Sequence, residues 1–279
     1  MLMPTALFRR RAVSCNNVYS QEISCRIAML TSERKAYIRD VLRRDGRIVA
    51  KALSEALGLS EDTVRRDLRE LAREGVLQRV HGGALPASPA VVDYQRRSTI
   101  ATDAKVRLGR AAARLVEPGQ VVFIDGGTTN LQLVHALAPT VRATVVTHSP
   151  SIAVALATHP LVEVELVGGR LFKHSVVAVG AAAIDAIRRV RPDVFFMGAT
   201  GVHAEAGLTT GDAEEAAIKR AISAQSGETV VLATAEKLGA ASAFAIAPLQ
   251  EATSLVVEAS VPDAVLAPLR AAGVSILTA

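Results

Sequence analysis

The chain has 279 residues, half of them apolar, enough for two domains that each bury a core. Its net charge of +5 is unevenly placed: residues 1–81 carry 16 Lys and Arg against 10 Asp and Glu, whereas residues 82–279 carry 16 against 17. The N-terminal part alone is therefore suited to a polyanion. The only cysteines, Cys15 and Cys25, fall in the first 30 residues outside any folding pattern, which argues against a disulfide framework or a metal site. No apolar run nears the roughly 18 to 20 residues of a membrane helix.

Residues 1–30 read as a disordered extension, with a DNA-contacting arm or an arginine-rich leader as alternatives and Met29 as an alternative start. The arginines of MLMPTALFRRRAVSC follow its short apolar run, the reverse of a secretory signal, so a cytoplasmic protein is expected. A first helix is predicted from Ser32, as cap, to Arg44, with Ile38, Val41 and Leu42 inward. Arg47-Ile48-Val49 is a short extended piece, and Ala50 to Leu57 a second helix burying Leu53 and Leu57.

Gly58-Leu59 turns the chain into a third helix capped by Ser60, with Glu61 and Asp62 at its positive end. Val64, Leu68 and Leu71 make its buried stripe, which leaves Arg65, Arg66, Arg69 and Arg73 on the other side until Gly75 stops it. Val76 to His81 is extended and ends in a Gly82-Gly83 turn. Helix, turn, basic helix and hairpin make residues 31–84 a winged helix-turn-helix.

Leu85 to Ala90, LPASPA, is read as a Pro and Ser linker within 85–100, and Asp93 to Val116 as one helix. Residues 101–279 then alternate. Apolar strands at Val121–Ile124, Thr144–Val146, Glu163–Val167, Val194–Met197, Thr229–Leu232, Ser254–Val257 and Val274–Leu277 are separated by Ala-rich helices. The fold class is thus α/β: a winged head followed by a mostly parallel sheet covered on both faces, which binds ligands beyond its strands' carboxyl ends.

Glycine and polar clusters recur at those ends. Asp125, Gly127, Thr128 and Thr129 form either a phosphate cradle at a helix N-terminus or an ordinary capped turn. The loop is neither a Walker loop nor a dinucleotide fingerprint, so no cofactor is expected. His148-Ser149, Gly168-Gly169 and Gly198 to Gly201 stand at other strand ends; Glu215 and Lys219 are either a solvated pair or ligand contacts, as is Lys237 alone.

These motifs resemble the DeoR family of transcriptional regulators over nearly the whole chain after residue 30. The resemblance lies in Thr63-Val64-Arg65-Arg66-Asp67-Leu68 and Arg79-Val80-His81-Gly82-Gly83-Ala84. In the second half it lies in Asp125 with Gly127-Thr128-Thr129, Gly168-Gly169, Gly180, Gly198, Gly201, Gly207-Leu208-Thr209, Glu215 with Lys219, and Lys237 with Gly239. It implies a sensor domain similar to ribose-5-phosphate isomerase and the CoA transferases that binds a phosphorylated sugar or related metabolite. Asp125 to Thr129 would cradle the phosphate, and Glu215, Lys219 and Lys237 would surround the ligand, with His148, Ser149, Gly169 and Gly201 at the same edge.

Two positions depart from the family: His148 replaces an asparagine, and Thr234 an aspartate. His148 is open to two readings, a buried hydrogen-bonded ring or a ligand contact. In the head, Ser60 caps, Thr63, Arg65 and Arg66 face bases, Arg69 and Arg73 lie nearer the DNA backbone, and Arg79 and His81 touch phosphate or the minor groove. Arg66 could instead pair with Asp62 or Glu70. Operator DNA and a homo-oligomeric partner are expected, and no membrane. An isomerase with Glu215 as base and Lys237 as electrostatic stabiliser is the competing reading; the complete DNA-reading head and Thr234 argue against it.

Overall fold

The computed structural model describes residues 29–279, and the readings of residues 1–28 lie outside it. The head opens with α1 (Thr31–Asp45), β1 (Ile48–Val49), α2 (Ala50–Leu57) and α3 (Glu61–Arg73), then a hairpin of β2 (Leu77–Val80) and β3 (Gly83–Pro86). Ser32 does not cap α1. The cap position is Leu30, whose amide donates to Glu33 Oε2 at 2.9 Å. The head's core joins Ile38, Leu42, Leu53, Val64, Leu68, Leu71, Leu77 and Ala84, with Val41 and Leu57 only partly buried. β3 pairs with β1 on one side and β2 on the other. Gly83 is required there, because a Cβ would overlap the Ile48 carbonyl.

The stretch after the wing is not a loose linker. Ala87 bridges Ala241 in parallel, and Ser88, 7% exposed, donates its hydroxyl to the Thr200 carbonyl. The single helix expected over Asp93–Val116 is two: α4 (Tyr94–Ser98) and α5 (Thr102–Ala113), divided at Ala101, whose φ of 49° is left-handed. No glycine or proline marks the break, so the sequence conceals it.

Seven parallel strands follow in the order β15-β14-β12-β9-β4-β5-β6. They are β4 (Val121–Ile124), β5 (Ala143–Thr147), β6 (Val162–Leu166), β9 (Val194–Gly198), β12 (Glu228–Leu232), β14 (Ser254–Val257) and β15 (Ser275–Thr278). Alternate side chains feed two cores. Val122, Ile124 and Phe196 pack with α5, α6 (Thr128–His135) and α7 (Pro150–Leu156), while Phe123, Phe195 and Met197 pack with α8 (Ala181–Ile187), α9 (Ala213–Ser223) and α10 (Asp263–Ala271). Phe123 and Phe195 meet edge-on with centroids 5.7 Å apart.

Clusters read from the sequence as loops include two further small sheets. β7 (Arg170–Phe172) pairs with β8 (Val177–Val179), and β10 (Gly201–His203) with β11 (Gly207–Thr210), which also pairs with β13 (Phe244–Ala247). The chain leaves β4 for β5 and β6, then returns through β9 to build the other half, so the topological switch lies between β4 and β9. Such a switch opens a crevice at the strands' carboxyl ends. Among the described residues no helix is long and apolar enough to cross a membrane.

Candidate functional site

The head presents α3 as expected. Val64 and Leu71 are fully buried, Leu68 is 2% exposed, and Arg65, Arg66, Arg69 and Arg73 face solvent. Ser60 Oγ accepts from the Thr63 amide at 3.3 Å and lies 3.0 Å from the Thr63 hydroxyl. Arg66 pairs with neither Asp62 nor Glu70. Arg65 instead engages Glu61 at 2.6 Å and Asp62 at 3.3 Å, and Glu70 takes Lys35 at 2.8 Å. Arg79 and His81 are exposed on the wing. A groove between α3 and the wing brings them together with Arg65 and with Lys51 of α2, which the sequence reading passed over. Behind the helix, Arg34 holds Asp67, which is 1% exposed, through Nε at 2.8 Å and Nη2 at 3.0 Å.

At the switch point the structure gathers Gly127, Thr128, Thr129, Glu215, Lys219 and Lys237 around one narrow cleft, joined by Arg97, Asn130, Ser175, Thr200 and Thr210. Asp125 lies beneath rather than in it. Fully buried, its carboxylate accepts from His148 Nε2 at 2.8 Å, the Gly198 amide at 2.8 Å, and Lys219 Nζ. Burial alone would raise the Asp125 carboxyl, but the Lys219 ammonium and then the His148 contact outweigh it and hold it below the usual carboxylate range.

His148 is likewise fully buried, its Nδ1 2.8 Å from the Ala178 carbonyl, so of its two readings the packed ring is the one observed. Ser149, also buried, donates to the Val176 carbonyl at 3.2 Å. Gly169 and Gly201 do not line the cleft either. A Cβ on Gly169 would crowd Val179, and one on Gly201 would crowd Thr209 and Ala240. These four residues shape the walls from behind.

Three features give the cleft its chemistry. The eight-residue helix α6 starts at Thr128 with its amide end toward the cleft residues Gly126 to Asn130, and such an end favours an anion. Lys237, on a 3₁₀ turn over Ala235–Lys237, is 8% exposed, and among the described residues no carboxylate forms an ion pair with it. Burial pushes its ammonium down to about 8, against the opposing pull of Glu236. Thr234, the departure noted above, donates to Glu236 Oε1 at 2.5 Å, and its carbonyl accepts from the Lys237 amide at 2.9 Å, so it shapes that turn.

The third feature is Asn130. It donates from Nδ2 to the Asp125 and Phe196 carbonyls, both at 3.0 Å, which fixes the amide's orientation and leaves Oδ1 buried with no partner among the described residues. Spare cations thus stand beside spare acceptors, Asn130 Oδ1 and the buried Glu215 carboxylate. A wider groove between α1 and the sensor is rimmed by Arg39, Arg43, Arg44 and Arg47, but each is paired, with Glu74, Asp40, Asp45 and Glu205. Its charge is already spent.

Residues 34–89 match the DeoR-like helix-turn-helix domain and residues 100–259 the DeoR C terminal sensor domain. The chain is 32% identical over 252 residues to the HTH-type transcriptional regulator GlpR of Haloferax volcanii, covering 89% of this chain and 98% of that one. It is 31% identical over 212 residues to the glycerol-3-phosphate regulon repressor of Escherichia coli K12, covering 76% and 84%. Among solved structures, ribose 5-phosphate isomerase A from Methanocaldococcus jannaschii aligns with 49% of this chain and 54% of its own at 16% identity, with a TM-score of 0.36. The relatives matched across both halves are regulators and not enzymes, and the isomerase alternative is set aside. This chain belongs to the DeoR family of transcriptional regulators.

Proposed function

We propose that the protein is a repressor of carbohydrate-metabolism genes whose head binds operator DNA and whose cleft binds a phosphorylated sugar that releases it. The observation that carries this reading is the buried Lys237, which faces the cleft at the α6 N-terminus without an ion-paired carboxylate among the described residues. Arg97, Lys219 and Lys237 outnumber Asp125 and Glu215 by one positive charge, before the helix end is added. A phosphate monoester supplies the missing negative charge, and its sugar hydroxyls donate to Asn130 Oδ1 and Glu215. Inorganic phosphate has no sugar hydroxyls to offer those acceptors.

In the head, Thr63, Arg65 and Arg66 read base edges, Arg69 and Arg73 hold phosphates, and Arg79, His81 and Lys51 grip the DNA from the wing side. Arg65 exchanges its pairs with Glu61 and Asp62 for DNA on binding. One head spans only a few base pairs, so the working form is a homo-oligomer placing heads on paired half-sites, with residues 101–279 as the assembling part. The ligand releases DNA by binding more strongly to the arrangement that does not fit the operator. The test is a thermal-shift panel of sugar phosphates, followed by operator-binding anisotropy at fixed salt with and without the best ligand. A rise in melting temperature with a fall in operator affinity is expected; no shift from any phosphorylated sugar overturns the sensor half.

A further inference from the structure

One wall of the cleft is not supplied by the parallel sheet. Arg97 sits on α4, a five-residue helix with no buried residue, in the segment that joins the wing to the sensor. Its side chain nevertheless turns under the domain to line the cleft. Nη2 donates to Ser175 Oγ at 3.0 Å, while Nε is buried with no partner among the described residues. A buried donor of a charged group left unpaired carries a desolvation cost that an incoming acceptor removes. Burial disfavours the guanidinium's charge, opposed chiefly by the Glu215 and Asp125 carboxylates and then by Tyr94 and Asp93.

The cleft encloses about 30 Å³. Even with the adjoining space of about 100 Å³ that shares Arg97, Ser175, Thr200 and Glu215, this falls short of the roughly 300 Å³ and more of a small-molecule site, so a sugar phosphate is accommodated when a wall moves. α4, which buries no residue of its own, is tied to the sensor by a short set of hydrogen bonds. The Tyr94 amide donates to the His174 carbonyl at 2.8 Å, Arg97 reaches Ser175, and the buried Lys105 donates to the Arg97 carbonyl. Beyond it lies the left-handed Ala101. Upstream, Ser88 donates to the carbonyl of Thr200, itself a cleft residue, and the Pro86 carbonyl at the end of β3 accepts from the Ala241 amide at 3.0 Å.

We propose that Arg97 closes on the phosphate of the effector, so that the ligand is clamped between the switch point of the sheet and the segment that carries the DNA-binding head. The clamp rests on the reading of this cleft as the effector site. Ligand entry displaces α4 and ligand retention re-docks it through Arg97. The displacement is felt at β3 of the wing without passing through the sheet.

The test uses the full chain with glycerol 3-phosphate, ribose 5-phosphate, glucose 6-phosphate and inorganic phosphate. Titration calorimetry and amide hydrogen exchange are measured on wild type, Arg97→Gln, Arg97→Lys and Lys237→Ala. Arg97→Gln should weaken the best wild-type ligand at least tenfold and abolish ligand-induced slowing of exchange over residues 93–101, with Arg97→Lys recovering part of both. Should Arg97→Gln not fold, Arg97→Lys alone must lie measurably below wild type. Binding by Arg97→Gln within twofold of wild type, or wild-type exchange over 93–101 unaffected by ligand, overturns the clamp. If Lys237→Ala loses binding and Arg97→Gln does not, the clamp falls and the effector site stands. If wild type binds none of the phosphorylated compounds, both fall.

Discussion

Lys237→Met separates the stability of the sensor from its ligand. Burial lowers the Lys237 ammonium from its ordinary 10.5 to about 8. At neutral pH the folded protein therefore carries a charge that water would hold more favourably, a cost of about 3 kcal/mol. Methionine keeps the stem and removes the charge, so the variant should be more stable by up to about 3 kcal/mol in urea unfolding near pH 7. The sign can be followed with pH. Between about 8 and 10.5 the folded wild type has released the proton that the unfolded chain still binds, so wild-type stability rises through this window and its deficit shrinks to about 1 kcal/mol near pH 10. The variant has no such term. Over the same range wild-type affinity for a sugar phosphate should fall above about pH 8 as the ammonium is lost, and the variant should bind at least tenfold more weakly at neutral pH. A variant no more stable than wild type, a stability gap independent of pH, or undiminished ligand affinity would refute the assignment of Lys237 as an uncompensated cation awaiting an anion.

Arg34→Met leaves the Asp67 carboxylate buried and unpaired. Breaking such a pair costs about 3–5 kcal/mol, so calorimetry should show the head melting early, with operator binding lost and sugar-phosphate binding retained. Gly83→Ala drives a Cβ into the Ile48 carbonyl and separates β3 from β1; operator affinity measured by anisotropy should fall at least tenfold while the sensor's melt is unmoved. Arg69→Ala should weaken all DNA sequences alike and reduce the salt slope by about one, whereas Arg66→Ala should cost about 1–3 kcal/mol on the operator and relax its preference. The reverse pattern across competitor sequences would exchange the two roles.

The central strands were legible because interior parallel strands are short apolar runs closed by glycine, as VVFIDGG and VFFMGATG are. α3 was legible because Ser60, the Val64-Leu68-Leu71 stripe and the four arginines specify cap, buried face and exposed face together. The small strands around Gly201 and Gly207 were not, since three or four residues rich in glycine and threonine carry no usable period. Pairing across the chain was invisible for a different reason. Nothing local marks Arg34 for Asp67, 33 residues away, or Arg97 for a cleft assembled mainly from residues 126–237. The sequence reading grouped Asp125, His148, Ser149, Gly169 and Gly201 with the cleft because they stand at strand ends; which strand-end residue faces the opening and which supports it from below is decided by packing from β8 and α9.

The contacts between head and sensor limit what any ligand can do. Arg47 and Glu205 meet at 2.6 Å, but both are largely exposed, and such a pair holds two bodies weakly. The backbone bridge of Ala87 to Ala241 and the Ser88 hydroxyl on Thr200 are the firmer ties, and both belong to the segment that continues into α4. Head orientation is therefore governed more by that segment than by surface ion pairs. A ligand changes the proportion of DNA-competent arrangements only through contacts made in one arrangement and not in the other. A hydrogen bond from arginine to phosphate is worth about 1.5–3 kcal/mol, and each 1.4 kcal/mol is about tenfold in an equilibrium. A single Arg97 contact made only in the released arrangement would thus shift operator occupancy by about ten- to a hundredfold, without any rearrangement of the seven-stranded sheet.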